Sequence, residues 1–270
     1  MGTPANNRRF VQGLQLFGLL LLAGFFLDRW TVSPPKDADV QTAPQQSTAA
    51  AESAPVDPSL DVQLASASGG DFSLTPAREP GLFAQLAAGD RAWIPRAEPI
   101  PGGGTRYLYK KRTDQPPLSL NQIKALIDNP PTFEAERRSI QSLLATLRAS
   151  GVRIILGQPR KQGAAGEWEP AKATLRIRPD IPAKGSREFL RVLNHEAIHV
   201  AQSCSNGTLK ARPKLLGLPR QLDQTALQHL NEAVYSNVSA SERLLEEEAY
   251  ANQERSSLGG QLVTAHCRAA

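Results

Sequence analysis

A chain of 270 residues with a net charge of +5 and an isoelectric point near 9.4 has room for one catalytic-size domain with extensions. It carries no internal repeat, no phosphate-cradling glycine loop and no serine nucleophile elbow, which removes solenoids, P-loop nucleotide enzymes and α/β-hydrolases. The densest basic cluster, Arg106 to Arg112 with Tyr107 and Tyr109 interleaved, reads as a solvated loop. No nucleic-acid partner is expected; attraction to an anionic membrane surface or acidic substrates fits the charge better.

Residues Phe10 to Leu27 form an apolar run preceded by Arg8 and Arg9 and closed by Asp28-Arg29-Trp30. At 1.5 Å per residue such a helix approaches the roughly 30 Å hydrocarbon thickness of a bilayer. No Ala-x-Ala site follows and Pro34 stands just after Ser33, so an uncleaved signal anchor over residues 1–30 is expected rather than secretion after cleavage. The arginine pair keeps the N-terminus cytoplasmic and puts the rest of the chain in a periplasmic, lumenal or extracellular space. Residues 31–70, rich in Pro, Ala, Gln, Ser and Asp, read as a disordered linker. Residues 71–117 hold Phe72, Leu74, Phe83, Leu86, Trp93 and Ile94, but Pro and Gly recur too often for long elements. An irregular extension wrapping the catalytic unit is expected there.

From residue 118 the pattern becomes regular. Thr132 to Ser150 places Ile140, Leu143, Leu144 and Leu147 at helical spacing and stops at Gly151. Val152 to Leu156 is a short β-branched strand, followed by a polar turn around Gly163 and Gly166, and Ala173 to Arg178 alternates as a second strand. Ser186 stands where a cap for the next helix belongs, with Glu188 in its first turn. That helix carries His195-Glu196-Ala197-Ile198-His199, a His-Glu-x-x-His pattern. Residues four apart lie about 40° apart around a helix, so both imidazoles can grip one tetrahedral Zn²⁺. Glu196 is left at the edge of that face, where a general base belongs. Leu193, Ala197, Val200 and Cys204 form the opposite, apolar stripe.

These residues resemble the zincin metallopeptidases. The metzincin branch would need a glycine and a third histidine where this chain has Gln202 and Ser205. Peptide deformylase would need a cysteine ligand, but Cys204 points to the far side of the helix. The resemblance is therefore to the gluzincins, whose third ligand is a glutamate on a later helix. Leu244 to Gln253 offers such a helix, and on its wheel Glu248 shares a face with Ser241, Leu244, Leu245, Ala251 and Asn252, while Glu246 and Glu247 point away as solvated charges. Glu248 is the expected ligand beside His195 and His199, and Asn252 a residue that could orient a liganding imidazole. Tyr250, Tyr235 and His229 are candidate donors to an oxyanion, with no choice among them; His266 is a tail residue. The resemblance further implies an α+β zincin-like domain over residues 118–270 in which the strand before the active helix, Ala173 to Arg178, pairs with an extended peptide substrate.

Two cysteines in an exported chain, Cys204 and Cys267, invite a disulfide that pins the tail under the active helix. The expected function is that of a membrane-anchored zinc metallopeptidase acting on peptides or proteins. A membrane-tethered zinc protein serving only binding or assembly is the alternative, and the retained Glu196 weighs against it.

Overall fold

The computed structural model describes residues 29–30, 70–112, 115–236 and 238–267. The apolar run Phe10 to Leu27 and the linker at 31–69 lie outside the described residues, and among the described ones no helix is long and apolar enough to cross a membrane. The chain is mixed α+β. Its described strands are β1 (Arg29–Trp30), β2 (Phe72–Ser73), β3 (Arg96–Pro99), β4 (Thr105–Leu108), β5 (Arg153–Leu156), β6 (Gly166–Glu169) and β7 (Thr174–Ile177). Its described helices are α1 (Glu79–Arg91), α2 (Leu120–Asp128), α3 (Glu134–Ala149), α4 (Ser186–Ser205), α5 (Gln224–Leu230), α6 (Ala240–Asn252) and α7 (Leu258–His266).

The sheet under the site has the order β2-β5-β7-β6, with β5 and β7 parallel and both outer strands antiparallel to their neighbours. Apolar side chains of β5 and β7 (Ile154, Leu156, Leu175, Ile177) meet Ile140, Leu143, Leu144 and Leu147 of α3 and Phe189, Leu193, Ala197 and Val200 of α4 in one core. The helical spacing in α3 and the apolar stripe of α4 thus both face inward, as the periodicity predicts. Each of the larger side chains, Ala197 apart, contributes roughly 1.5–3 kcal/mol when fully withdrawn from water, which fixes α4 across the sheet.

Residues 71–117 differ from the expected irregular wrapping. β2 pairs with β5 inside the main sheet, α1 is a 13-residue helix, and Leu74, Leu82 and Leu86 join the same core. Pro80 sits in the first turn of α1, where its missing N–H has no partner to lose, so proline starts this helix instead of breaking it. Gly89 makes the contact possible: a Cβ there would stand 2.5 Å from the Gly185 backbone nitrogen.

The cap of α4 also differs. Gly185 precedes the first turn, and Ser186 is a receiver of support, its N–H and Oγ both donating to the Asp90 carboxylate at 2.7 Å. Arg137 of α3 donates to Asp90 Oδ2 at 2.7 Å. Asp90 therefore joins α1, α3 and the start of α4 as a carboxylate held against a helix N-terminus. Asp90→Ala leaves three donors unmet and is expected to lower stability by roughly 2–4 kcal/mol, read as a lower urea midpoint at unchanged slope; an unchanged midpoint would remove Asp90 from this role.

At its other end α4 is tied by the Cys204–Cys267 disulfide, with Cα atoms 4.9 Å apart. The expected bridge is present, and α7 lies along α4 with Gly259 N donating to Asn194 Oδ1 at 2.7 Å.

Candidate metal centre

His195 and His199 stand one turn apart on α4, their Nε2 atoms 3.1 Å from each other. The carboxylate that meets them belongs to Glu246: its Oε2 lies 3.2 Å from His195 Nε2 and 3.5 Å from His199 Nε2. These three side chains form a group able to hold a metal ion. Bonds of about 2.0–2.1 Å in tetrahedral array put neighbouring donors roughly 3.3 Å apart, so all three separations suit one small ion with a fourth position left over.

This corrects the assignment of Glu248. Glu248 is inward-facing and fully buried, as its wheel predicts, but its carboxylate accepts from Leu216 N at 2.9 Å, Leu218 N at 2.8 Å and Gln202 Nε2 at 2.9 Å. Helix α6 is buried along two stripes. Glu248 and Asn252 face the segment after α4, where Asn252 Nδ2 donates to Pro219 O at 2.7 Å. Glu246, Tyr250 and Gln253, at positions i, i+4 and i+7, face the imidazoles. Glu246 is thus no solvated charge, its side chain being 15% exposed.

Asn252 donates to Pro219 O and Glu248 O instead of to an imidazole, and the two imidazoles are met by glutamines, Gln202 and Gln253. Gln202 Nε2 donates to Glu248 Oε2 and to Leu245 O at 3.3 Å, which turns its Oε1 to His199 Nδ1 at 2.7 Å. Nδ1 must then carry the proton, leaving the Nε2 lone pair free for a metal. Gln253 Oε1 stands in the same relation to His195 Nδ1 at 3.1 Å. Glu248 therefore acts at one remove, by holding the amide that orients His199.

Burial works against charge on His199, but the adjacent Glu246 carboxylate outweighs it and takes the imidazole up to about 9. Burial likewise opposes ionisation of Glu246, whose carboxyl the two imidazoles hold well below its usual range. His195 is lowered, mainly by burial. Glu196 is pushed up to about 8, chiefly by burial, with Glu246 and Glu167 adding to the effect. Its carboxylate is pressed against β6, since a Cβ on Gly166 would come within 2.6 Å of Glu196 Oε1.

Of the three donor candidates, the structure brings two phenols to the centre. Tyr235 OH lies 3.3 Å from Glu246 Oε2 and 2.9 Å from Tyr250 OH, and the Tyr250 ring meets that of His195 edge-on at 4.6 Å. His229 is one layer further out, stacked on Tyr250 at 5.9 Å with Nδ1 on Glu232 at 2.6 Å. Burial raises the pKa of both phenols, so their hydroxyls stay protonated and able to donate.

Strand β7 is interior to the sheet, hydrogen-bonded to β5 on one side and β6 on the other. It has no free edge for a peptide. The outer strand beside the centre is β6, read from the sequence as part of a glycine-rich turn; Trp168 Nε1 fastens it to α4 through Ser203 Oγ at 2.9 Å. Comparison of the chain with protein-family models, with curated protein sequences and with solved structures finds no match to any of them.

Proposed function

We propose that this protein is a zinc metallopeptidase of gluzincin type, anchored to a membrane by its N-terminal apolar segment and acting outside the cytoplasm. The observation that carries the reading is the convergence of His195 Nε2, His199 Nε2 and Glu246 Oε2 beside a buried carboxylate, Glu196, that is not one of the three. Two imidazoles and a carboxylate with a fourth position open suit catalytic zinc. The disulfide between Cys204 and Cys267 favours an oxidising compartment.

Zinc in this site would polarise a peptide carbonyl and bring the pKa of a water toward about 7. The charge of the ion would favour the ionised form of Glu196, which takes a proton from the attacking water and returns it to the leaving amine. Tyr235, whose hydroxyl donates to Glu246 Oε2 at 3.3 Å, is our choice for donor to the developing oxyanion, with Tyr250 holding its hydroxyl in place. An extended substrate would add to the outer edge of β6 rather than to β7.

Elemental analysis of the purified protein is expected to give one zinc per chain, with hydrolysis of a peptide library lost on chelation and restored by zinc. Absence of bound metal would end this reading, whereas zinc without cleavage of any peptide would favour a binding module. Gly166→Ala offers a finer probe, because the added methyl must displace the Glu196 carboxylate. Zinc content is expected to stay at one per chain while kcat falls roughly 10- to 100-fold, since about 1 Å of misplacement can cost that much; unchanged kcat would argue against close packing of β6 on the base.

A further inference from the structure

The loop between β5 and β6 carries Lys161 to the centre. Its Nζ lies 3.6 Å from Glu246 Oε1, the carboxylate oxygen turned away from the imidazoles, and 4.8 Å above the Tyr235 ring. A turn closed by Ala164 N on Lys161 O at 3.1 Å shapes the loop, and Arg178 Nη1 pins it by donating to Gly163 O at 3.3 Å. The neighbouring cations are already matched, Arg160 with Glu169 at 3.1 Å and Arg178 with Asp180 at 2.5 Å. Among the described residues, the ion partner of Lys161 is Glu246.

Glu196, whose ionised form the Lys161 charge favours, also lies within reach of that charge, while two further carboxylates are committed elsewhere. Glu242 accepts from the N–H and the hydroxyl of Ser239 at 2.9 Å, and Glu167 accepts from Arg160 N. If Glu246 also serves a divalent ion, two cations share one carboxylate, and the ammonium, whose side chain is 36% exposed, is left undercompensated at the rim of the centre. An anion is then favoured at that point. Lys161 belongs to the loop that leads into the outer strand, and that loop lies beside β6, Arg160 N donating to the Glu167 carboxylate, so its ammonium is within reach of a peptide laid along the strand.

We infer that Lys161 selects the substrate, its ammonium receiving a carboxylate that is either an acidic side chain near the scissile bond or a free C-terminus. The inference rests on the metallopeptidase reading, yet it can be measured without turnover. Four matched hexapeptides, with internal Glu or Gln and a free or amidated C-terminus, are titrated by calorimetry against the full-length zinc-loaded Glu196→Gln protein, alone and combined with Lys161→Met or Lys161→Arg. At least one carboxylate-bearing peptide is expected to bind roughly tenfold tighter than its neutral match, as for one charge-assisted contact. Lys161→Met should remove that preference with zinc content unchanged, and Lys161→Arg should keep part of it. Which peptide shows the difference tells side chain from terminus. The inference is overturned if the preference survives Lys161→Met, if all four peptides weaken equally, if none binds, or if Lys161→Met loses zinc. Lys161-dependent binding without cleavage by the wild-type protein would instead remove only the peptidase reading.

Discussion

Replacing Glu196 with glutamine is expected to lower peptide hydrolysis by about three orders of magnitude while zinc content stays at that of the parent protein. The substitution keeps the shape of a side chain that is 5% exposed and pressed against Gly166, so the packing of β6 on α4 survives. What disappears is the ability to accept and return a proton. Burial is the chief force opposing charge at this position, so a neutral amide costs the fold little. The thermal midpoint of the variant should accordingly match or exceed that of the wild type. Such a pattern separates a lost base from a lost fold or a lost metal, both of which also abolish activity. Hydrolysis by the glutamine variant at even a tenth of the wild-type rate would exclude Glu196 as the base.

Much of this arrangement is legible in the residues themselves. The apolar spacing of α3, the strand after it, the two faces of α4 and the pairing of Cys204 with Cys267 all follow from local periodicity and from the inventory of side chains. The choice of Glu246 does not, for a definite reason. A wheel ranks positions by the company they keep, and Glu248 keeps company with Leu244, Leu245 and Asn252. Leu244 is in fact 38% exposed, and the buried stripe through Glu248 meets the backbone of residues 216–218 rather than a metal. A helix clamped between two partners has two inward stripes, and periodicity alone cannot say which of them meets the imidazoles. The part played by Gln202 is hidden for a similar reason, since its meaning depends on Glu248 standing 46 residues away. Strand β6 is missed because Gly163 and Gly166 read as punctuation, although Gly166 is a strand residue whose lack of a side chain makes room for Glu196. The helix in 79–91 is hidden because proline and glycine break helices at most positions, whereas Pro80 stands in the first turn, where it does not.

The two glutamates on α6 should part company when each is changed to glutamine. Glu246→Gln is expected to weaken zinc by more than about 100-fold, beyond the 10- to 100-fold typical of losing an outer partner, because an amide oxygen is a poorer donor to the ion and carries no charge against it. The fold should persist, since Glu246 supports no backbone N–H among the contacts of α6. Glu248→Gln should do the reverse. Its carboxylate accepts from three donors, Gln202 Nε2, Leu216 N and Leu218 N, and an amide group can turn its oxygen to only one side. At least one buried N–H then faces an NH₂ group, at a cost of roughly 2–4 kcal/mol in unfolding free energy. The folded fraction should still bind zinc, weakened at most by the freedom Gln202 gains to release His199 Nδ1. Urea unfolding and zinc titration on both variants read the two effects independently. Zinc kept by Glu246→Gln but lost from folded Glu248→Gln would return the ligand role to Glu248, and would require α6 to rotate by nearly half a turn from the register that places Tyr250 on His195 and Gln253 on its Nδ1.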